Sequence, residues 1–215
     1  MGDSIMATII NADTSDGLKL TSDTSGLIEF QSGGVTKAGV NATGLTGDGS
    51  QLTGLPEGGG NYSIQVFTSS GTYTRPAGLV KAKITVVGGG GNGGSNNGRG
   101  GGGGGTAVLV VDSATLGASQ TVTIGAGGGG TSSFGTLASA TGGSNGGSNN
   151  TSTIGVGGIG SNGTINFTGG SAVNANPSPG GTSFFGAFTY GAGGLGTYPT
   201  GTAGIAGIIF VEEFF

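Results

Sequence analysis

The sequence predicts an all-β protein with an intertwined N-terminal β region and a glycine-rich β-sandwich that carries extended, polyglycine-type strands. Three observations support this fold class. Of the 215 residues, 56 are glycine. Short segments alternate apolar and polar residues at the period of a strand, and no useful stretch has the period of an amphipathic helix. The glycines form runs that recur between strand-like segments, which favours structural elements over linkers.

The longest run is VVGGGGNGGSNNGRGGGGGGT, residues 86–106, and β-branched segments flank it on both sides. Glycine can adopt an extended threefold conformation related to polyproline II. Without side chains, such strands can lie very close together, and their backbone N–H and C=O groups need partners on neighbouring strands. The runs therefore predict a lattice of glycine strands joined by backbone hydrogen bonds. A disordered glycine tract is the alternative.

Ordinary strands are predicted at the base of this glycine lattice, where they form a small antiparallel sandwich. Their predicted ranges are residues 61–68, 81–88, 106–112, 120–124, 134–140 and 207–212. The glycine segments extend from this base, and six residues span roughly 19 Å at about 3.1 Å each. Loops that join the extensions are expected at the far end, away from the strands.

Residues 1–60 form a separate predicted region, and residues 61–215 form the glycine-rich domain. The first region contains strand-like segments at 5–10, 18–24, 27–34 and 35–41. It has few large apolar side chains, so a monomer of this size could hardly bury enough surface to be stable. We therefore expect its strands to intertwine between copies of the chain in a symmetric oligomer. Regular leucine spacing in residues 41–60 predicts a narrow shaft, and Pro56 before the glycines predicts a hinge.

The composition argues against most catalytic and metal chemistry. The chain has no cysteine and no histidine, only 7% charged residues and a net charge of −4. It lacks the usual thiolate and imidazole groups, so we expect no enzyme activity, cofactor or metal. We also expect no nucleic-acid partner, because there is no basic footprint, and no membrane insertion, because no apolar run reaches about 18 residues. G-x-G-x-x-G matches recur, but none joins a strand to a helix.

The acidic residues offer only weak candidates for chemistry. Glu212 and Glu213 are adjacent, so on a strand they point to opposite faces. A pair between Asp112 and one of them is the alternative to a solvated strand end, which is the interpretation we favour. Asp13, Asp16 and Asp23 lie in predicted turns. Calcium binding is possible for them, but capping of the turns is the interpretation we favour.

Several ordered segments resemble phage sequences. DGLKLTSDTSGLIEFQSGGVTKAGVNATG is similar to the leading segment of many tail-fibre proteins of marine and cyanobacterial phages. YSIQVFTSSGTYTRPAGLVKAKITVVGGGGNGG resembles the start of the glycine-rich domain common in phage and prophage tail fibres. QTVTIGAGGGG and the C-terminal GTAGIAGIIFVEEFF resemble the middle and closing strands of that domain. The matching positions are Phe67, Ser70, Gly71, Thr72, Tyr73, Pro76, Gly78, residues 86–91, Gly207, Ile208, Ile209, Val211 and Glu212.

The chain departs from this family in two ways. Asn, Ser and Thr dilute its glycine runs, especially in residues 144–153, and aromatic islands occur at 183–191 and 196–201. The dilution predicts a shorter lattice with larger loops.

The resemblance implies a homotrimeric tail fibre of the virion that acts outside the host cell. Its N-terminal region is expected to trimerise and attach to other virion proteins, and its glycine-rich domain to present receptor-binding loops. A structural capsid decoration or cement protein, without receptor binding, is the alternative.

Amides and aromatic rings are the candidate binding groups. The amide-rich loops provide Asn96, Asn97, Arg99, Asn149 and Asn150, and the aromatic islands provide Tyr190 and Tyr198. Amides can bond the hydroxyls of a sugar, and aromatic rings can stack on its C–H face. We therefore expect a host cell-surface glycan as the receptor, with a protein as the alternative. For Phe184, Phe185 and Phe188, core packing and exposure are equally compatible with the sequence.

Overall fold

The computed structural model of the chain describes residues 28–32, 35–41, 44–47 and 62–215. The chain divides into two compact units, Met1–Gly58 and Gly59–Phe215. The strands predicted at 5–10 and 18–24, most of the predicted shaft and the hinge at Pro56 lie outside the described residues. The described part of the chain contains one helical turn, α1 (Ser113–Leu116), and is otherwise strands, turns and extended segments. The predicted all-β class is confirmed.

The first unit contains a three-stranded antiparallel sheet. Its strands are β1 (Ile28–Ser32), β2 (Val35–Asn41) and β3 (Gly44–Gly47), in that spatial order. The sequence predicts a narrow shaft at the GLTG segment of β3. This segment pairs with β2 as an edge strand, with Gly44 opposite Asn41, and the shaft stays a prediction. Intertwining between copies stays a prediction.

The second unit is built on two antiparallel five-stranded sheets, ordered β12-β7-β6-β13-β4 and β11-β10-β9-β8-β5. The strands are β4 (Tyr62–Phe67), β5 (Gly71–Thr74), β6 (Lys81–Val87), β7 (Thr106–Asp112), β8 (Ser119–Thr123), β9 (Ser132–Phe134), β10 (Ala138–Ala140), β11 (Gly160–Ser161), β12 (Ile165–Phe167) and β13 (Ile208–Phe214). Five predicted strands agree with these bounds to within two residues.

The prediction of a single strand at 134–140 is wrong, because this segment is part of a hairpin. Ala138 pairs with Phe134, so β9 and β10 run back on each other. Gly135 has a φ of 53°, a left-handed conformation that glycine adopts readily. The Leu137 N–H closes the turn by donating to the Phe134 carbonyl at 3.1 Å.

The hydrophobic core lies between the two sheets. Alternate residues of β6 and β13 point into it, and so do Tyr73, Val122 and Phe134 from the second sheet. The rings of Tyr73 and Phe134 lie 5.3 Å apart in a tilted arrangement. This packing explains why the strand-forming segments that flank the glycine runs specify the base of the domain.

A buried carboxylate joins the sheets at one end of this core. Glu213 is 2% exposed. Its Oε1 accepts hydrogen bonds from the Tyr73 hydroxyl and from Gln65 Nε2, both at 2.9 Å, and its Oε2 accepts one from the Ser63 hydroxyl. These donors compensate the loss of water around the charge. Burial, together with the hydrogen bond to Glu213, raises the pKa of Tyr73 above its usual value of 10.0.

This raised pKa predicts a loss of stability at alkaline pH. The folded protein keeps the Tyr73 proton to a higher pH than the unfolded chain does. The contribution of Tyr73 to stability is therefore complete below about pH 10 and is lost as the pH rises above that value. Thermal melts at about pH 9 and about pH 11 should show a steeper decline for the wild type than for Tyr73→Phe. Equal declines would contradict the prediction, because Tyr73 is the one titratable group that differs between the two proteins.

The glycine lattice extends from the sandwich and surrounds a central strand, residues 100–105. Its members have no positive φ, so glycine is required here for closeness rather than for an unusual backbone conformation. A Cβ at any of these six positions would lie within 3.0 Å of a neighbouring backbone atom. The neighbours change with a period of three: positions 100 and 103 face residues 179–182, positions 101 and 104 face 88–91, and positions 102 and 105 face 156–159. This period is that of a threefold extended helix.

Backbone hydrogen bonds join the central strand to its neighbours. The N–H groups of Gly101 and Gly102 donate at 2.9 Å to the carbonyls of Gly194 and Ser144, and the Gly104 N–H donates at 2.7 Å to the Gly191 carbonyl. Its carbonyls accept from other segments, for example from the Gly91 N–H at 2.8 Å. The predicted lattice is therefore present. Its backbone N–H and C=O groups form hydrogen bonds to neighbouring strands, because an extended strand has no hydrogen bonds within itself.

Dilution by Asn, Ser and Thr does not shorten the lattice. Segments 141–147 and 153–159 stay hydrogen-bonded to each other as far out as Gly147 and Thr153. This pairing extends as far as the pairing between segments 88–94 and 99–105. In segments 141–147 and 153–159, Ser144 and Val156 are exposed while Gly143 and Gly155 are buried. The expectation of a shorter lattice is wrong, because the substituted positions point outward.

Candidate binding surface

Four short loops lie at the far end of the glycine lattice. The chain leaves β6, passes through residues 88–94, turns, and returns to β7 through residues 99–105. Seven residues at about 3.1 Å each place this turn roughly 22 Å from the sheet. We call this end the tip. Its loops are residues 95–98, 148–152, 173–178 and 196–201.

Two of the tip loops contain part of a repeated hexapeptide. The hexapeptide NGGSNN occurs at residues 92–97 and again at 145–150. Equivalent positions bond each other: the Ser95 N–H donates to the Ser148 hydroxyl, and Asn96 Nδ2 donates to Asn149 Oδ1, both at 3.0 Å. The Asn150 N–H donates to the Asn96 carbonyl at 3.1 Å. The two loops form a single amide-bearing surface, and the identical hexapeptide is the sequence signal that indicates it.

The asparagines of these loops have a conformational role as well as polar side chains. The φ angles of Asn96, Asn97, Asn149 and Asn150 lie between 52° and 59°. Asparagine adopts this left-handed conformation more readily than most residues with a side chain. Asn97 is half-buried and the other three are exposed. Turn formation is thus sufficient to explain these residues, while exposed amides remain available to a ligand.

Arg99 connects two tip loops. Its guanidinium donates to the Ala175 carbonyl at 2.8 Å, and the N–H of the next residue, Gly100, donates to the Ser178 hydroxyl at 2.8 Å. The Arg99 Nε is buried without a hydrogen-bond partner among the described residues. Arg99 therefore anchors loop 173–178 to the lattice, in addition to supplying a charge at the tip.

Tyr198 lies at the tip and next to the paired asparagine loops. Its side chain is 71% exposed. The following residue, Pro199, accepts a hydrogen bond from the Asn96 N–H at 3.0 Å, and the Gly201 N–H donates to the Ser95 hydroxyl at 3.2 Å. The structure thus brings Tyr198 together with five of the predicted residues.

The structure separates Tyr190 from the other predicted binding residues. The next residue, Gly191, accepts a hydrogen bond from Gly104, close to the start of β7. Tyr190 therefore lies at the base of the lattice, although it is 41% exposed. Its position follows from chain direction: residues 179–182 return from the tip and residues 191–195 lead out again. Tyr190 is excluded from a surface formed at the tip.

The three phenylalanines near Tyr190 also lie at the base. Phe184 packs against Phe167 and Phe185 packs against Phe210, with ring centroids 5.5 Å and 5.4 Å apart. These two rings cover part of a sheet surface and stay half exposed, so they belong outside the core between the sheets. Phe188 is 73% exposed.

Charge is sparse at the tip, where Arg99 is the charged residue. The acidic residues of β13 lie at the base and point to opposite faces: Glu213 is buried, whereas Glu212 pairs with Lys83 at 2.7 Å. No acidic cluster that could hold a metal occurs in the described ranges, and Asp13, Asp16 and Asp23 lie outside them. Within these ranges no helix is long and apolar enough to cross a membrane. The tip thus offers amides, hydroxyls, one guanidinium and one exposed ring.

A scan of protein-family models gives no match to this chain. A search of curated proteins also gives no match.

Proposed function

We propose that this protein is a phage tail fibre that attaches to the host surface through the tip of its glycine-rich domain. The observation that carries the proposal is the geometry of the tip: four short loops meet at the end of a closely packed lattice, roughly 22 Å from the sheet. Loops in such a position can change sequence without disturbing the fold, which suits a variable recognition surface. The sequence resemblance supports the same assignment.

The chemistry of the tip favours a neutral or weakly charged ligand. Exposed amides of Asn96, Asn149 and Asn150 can bond hydroxyl groups, and the exposed ring of Tyr198 can stack on the C–H face of a sugar. We therefore propose a host cell-surface glycan as the receptor, with a protein receptor as the alternative. Binding should depend little on salt, because ion pairs contribute little at this surface.

The N-terminal region completes the proposed fibre. We propose that it forms a homotrimer and attaches to other virion proteins, so that the protein acts outside the host cell. Binding alone accounts for this role, with no enzyme activity, cofactor, nucleic acid or membrane insertion.

Replacing the four tip asparagines with glycine should weaken attachment without unfolding the protein. Glycine at positions 96, 97, 149 and 150 keeps the left-handed turns but removes the amides. Each lost hydrogen bond is worth about 0.5–1.5 kcal/mol, so adsorption to host cells should fall about tenfold or more. Purified-protein binding to cells measures the effect, and thermal melting should change by only a few degrees. Arg99 is left intact, because it anchors a loop.

Asn162 supplies a matched control for this experiment. It is also an exposed asparagine with a positive φ, 62°, but it lies between β11 and β12 at the base. Asn162→Gly should leave adsorption unchanged. Equal adsorption by wild type, control and the fourfold variant would remove these amides from the site. Gold-labelled antibody on the capsid, with no binding to cells, would instead support the cement-protein alternative.

A further inference from the structure

Strand β4 has its apolar residues on the unexpected side. Its sequence YSIQVF directs Ser63 and Gln65 inward, where they bond Glu213. Tyr62, Ile64 and Val66 point outward and are 50–52% exposed. An antiparallel sheet with one solvated face normally directs its apolar set to the core. The outward row of β4 therefore has the composition of a surface that becomes buried.

The protein packs aromatic rings against part of the same sheet face but leaves the outward side chains of β4 half exposed. Cross-strand pairing places Phe167, Thr106, Val87 and Ile208 in one row across four strands. Phe184 packs onto Phe167 at the end of this row, and Val87 and Ile208 are buried. Phe185 of the same loop packs onto Phe210, the cross-strand partner of Val66, and the Tyr62 ring packs against Phe214. Despite these contacts, Val66, Ile64 and Tyr62 all stay half exposed. Large exposed apolar patches mark interaction surfaces.

Strand β4 is also an unprotected edge. It is the last strand of its sheet, and within the described part of the chain it pairs with β13 alone. It contains no charge and no proline, which are the residues that commonly protect a sheet edge from further association.

The charges nearest to this row are already compensated. On the same sheet face, Lys83 pairs with Glu212 at 2.7 Å and Lys81 lies 3.6 Å from Asp112. An uncharged apolar row flanked by paired charges can meet an identical row without repulsion between like charges.

We propose that Tyr62, Ile64 and Val66 pack against the equivalent row of a second copy of this chain. The inference rests on the proposed oligomer. β4 is the first strand of the second unit and lies closest in sequence to the proposed oligomerisation region, which raises the local concentration of the rows. Three side chains form much less surface than the roughly 1,200 Å² of a stable interface, so the contact reinforces an assembly made elsewhere.

Single cysteines in the full-length protein test this contact, because the natural chain has no cysteine. Ile64→Cys should form a disulfide between copies under mild oxidation, visible as a covalent dimer in a denaturing gel. Val110→Cys is the matched control: Val110 is 52% exposed and lies on the same face. It is three strand spacings, roughly 14 Å, from Ile64 across the sheet. A disulfide needs Cα atoms within about 7 Å, so the control should not cross-link.

The outcomes separate this inference from the proposed function. An oligomeric wild type whose Ile64→Cys variant does not cross-link overturns the contact but leaves the oligomer intact. Cross-linking of both cysteine variants to the same extent also overturns it. A monomeric wild type at micromolar concentration overturns the oligomer and this contact together. Cross-linking of Ile64→Cys to a different protein, found only in assembled virions, would assign the row to that protein instead.

Discussion

Valine at Gly102 or Gly103 is expected to prevent folding of the glycine-rich unit. A Cβ at Gly102 would overlap the carbonyl of Val156, and one at Gly103 would overlap the carbonyl of Thr182. Both obstacles are backbone atoms of adjacent lattice strands, so they cannot rotate away as a side chain could. Separating the strands would also break the lateral hydrogen bonds of the central strand, for example Gly103 N–H to Gly170 at 2.9 Å.

The expected loss is roughly 5 kcal/mol or more, which is exceptional for one substitution and comparable to the stability of a whole domain. Soluble yield and thermal melting measure it. Gly71→Val is the matched control: Gly71 lies in β5, and a Cβ there would have no neighbouring atom within 4 Å. A β-branched residue suits that strand. If Gly102→Val melts like Gly71→Val, the glycine run does not hold the structure together.

The sequence predicts the base of the domain well because strand-forming segments there bury one face. Residues 106–112 have the predicted bounds, and the neighbouring strand β6 differs from prediction only at its end. The other neighbour, β12, is not among the predicted strands. The hairpin at 134–140 is not predicted, because the reversal of FGTLASA depends on Gly135. Glycine is so common in this chain that a single turn glycine has no distinct signal.

The existence of the lattice is predictable from the glycine runs, but the order in which its strands lie next to one another is not. Glycine-only segments such as 100–105 carry no side chains that distinguish one neighbour from another. The outer strands are more informative, since Ser144 and Val156 occupy outward positions while Gly143 and Gly155 are buried. Such positions indicate which face of an outer strand lies away from the lattice.

The sequence predicts the binding surface only in part. Amide content identifies the asparagine loops, whereas their mutual pairing requires the NGGSNN repeat to be noticed. Tyr190 and Tyr198 both sit among glycines, so composition treats them alike. Their positions differ because successive lattice segments alternate in direction, which sends one loop to the base and the next to the tip.

A shortened chain that begins at Asn61 is expected to fold but to lose most of its self-association. The second unit contains its own two-sheet core. In the first unit, by contrast, the described side chain of Phe30 remains 46% exposed in a single chain. A region of this size cannot bury enough apolar surface alone, so association between copies should stabilise it.

At micromolar concentration, light scattering should show that the full chain is an oligomer. The shortened chain should be predominantly a monomer. Similar thermal melts of the second unit would establish that the shortened chain is folded. The row on β4 is too small to keep unlinked copies together, so its presence in the shortened chain does not alter the expectation. A shortened chain with the full oligomeric mass would place the principal contacts in the glycine-rich unit. A monomeric full-length protein would contradict self-association by either region. It would show that the N-terminal region, with its few large apolar side chains, is stable without a second copy.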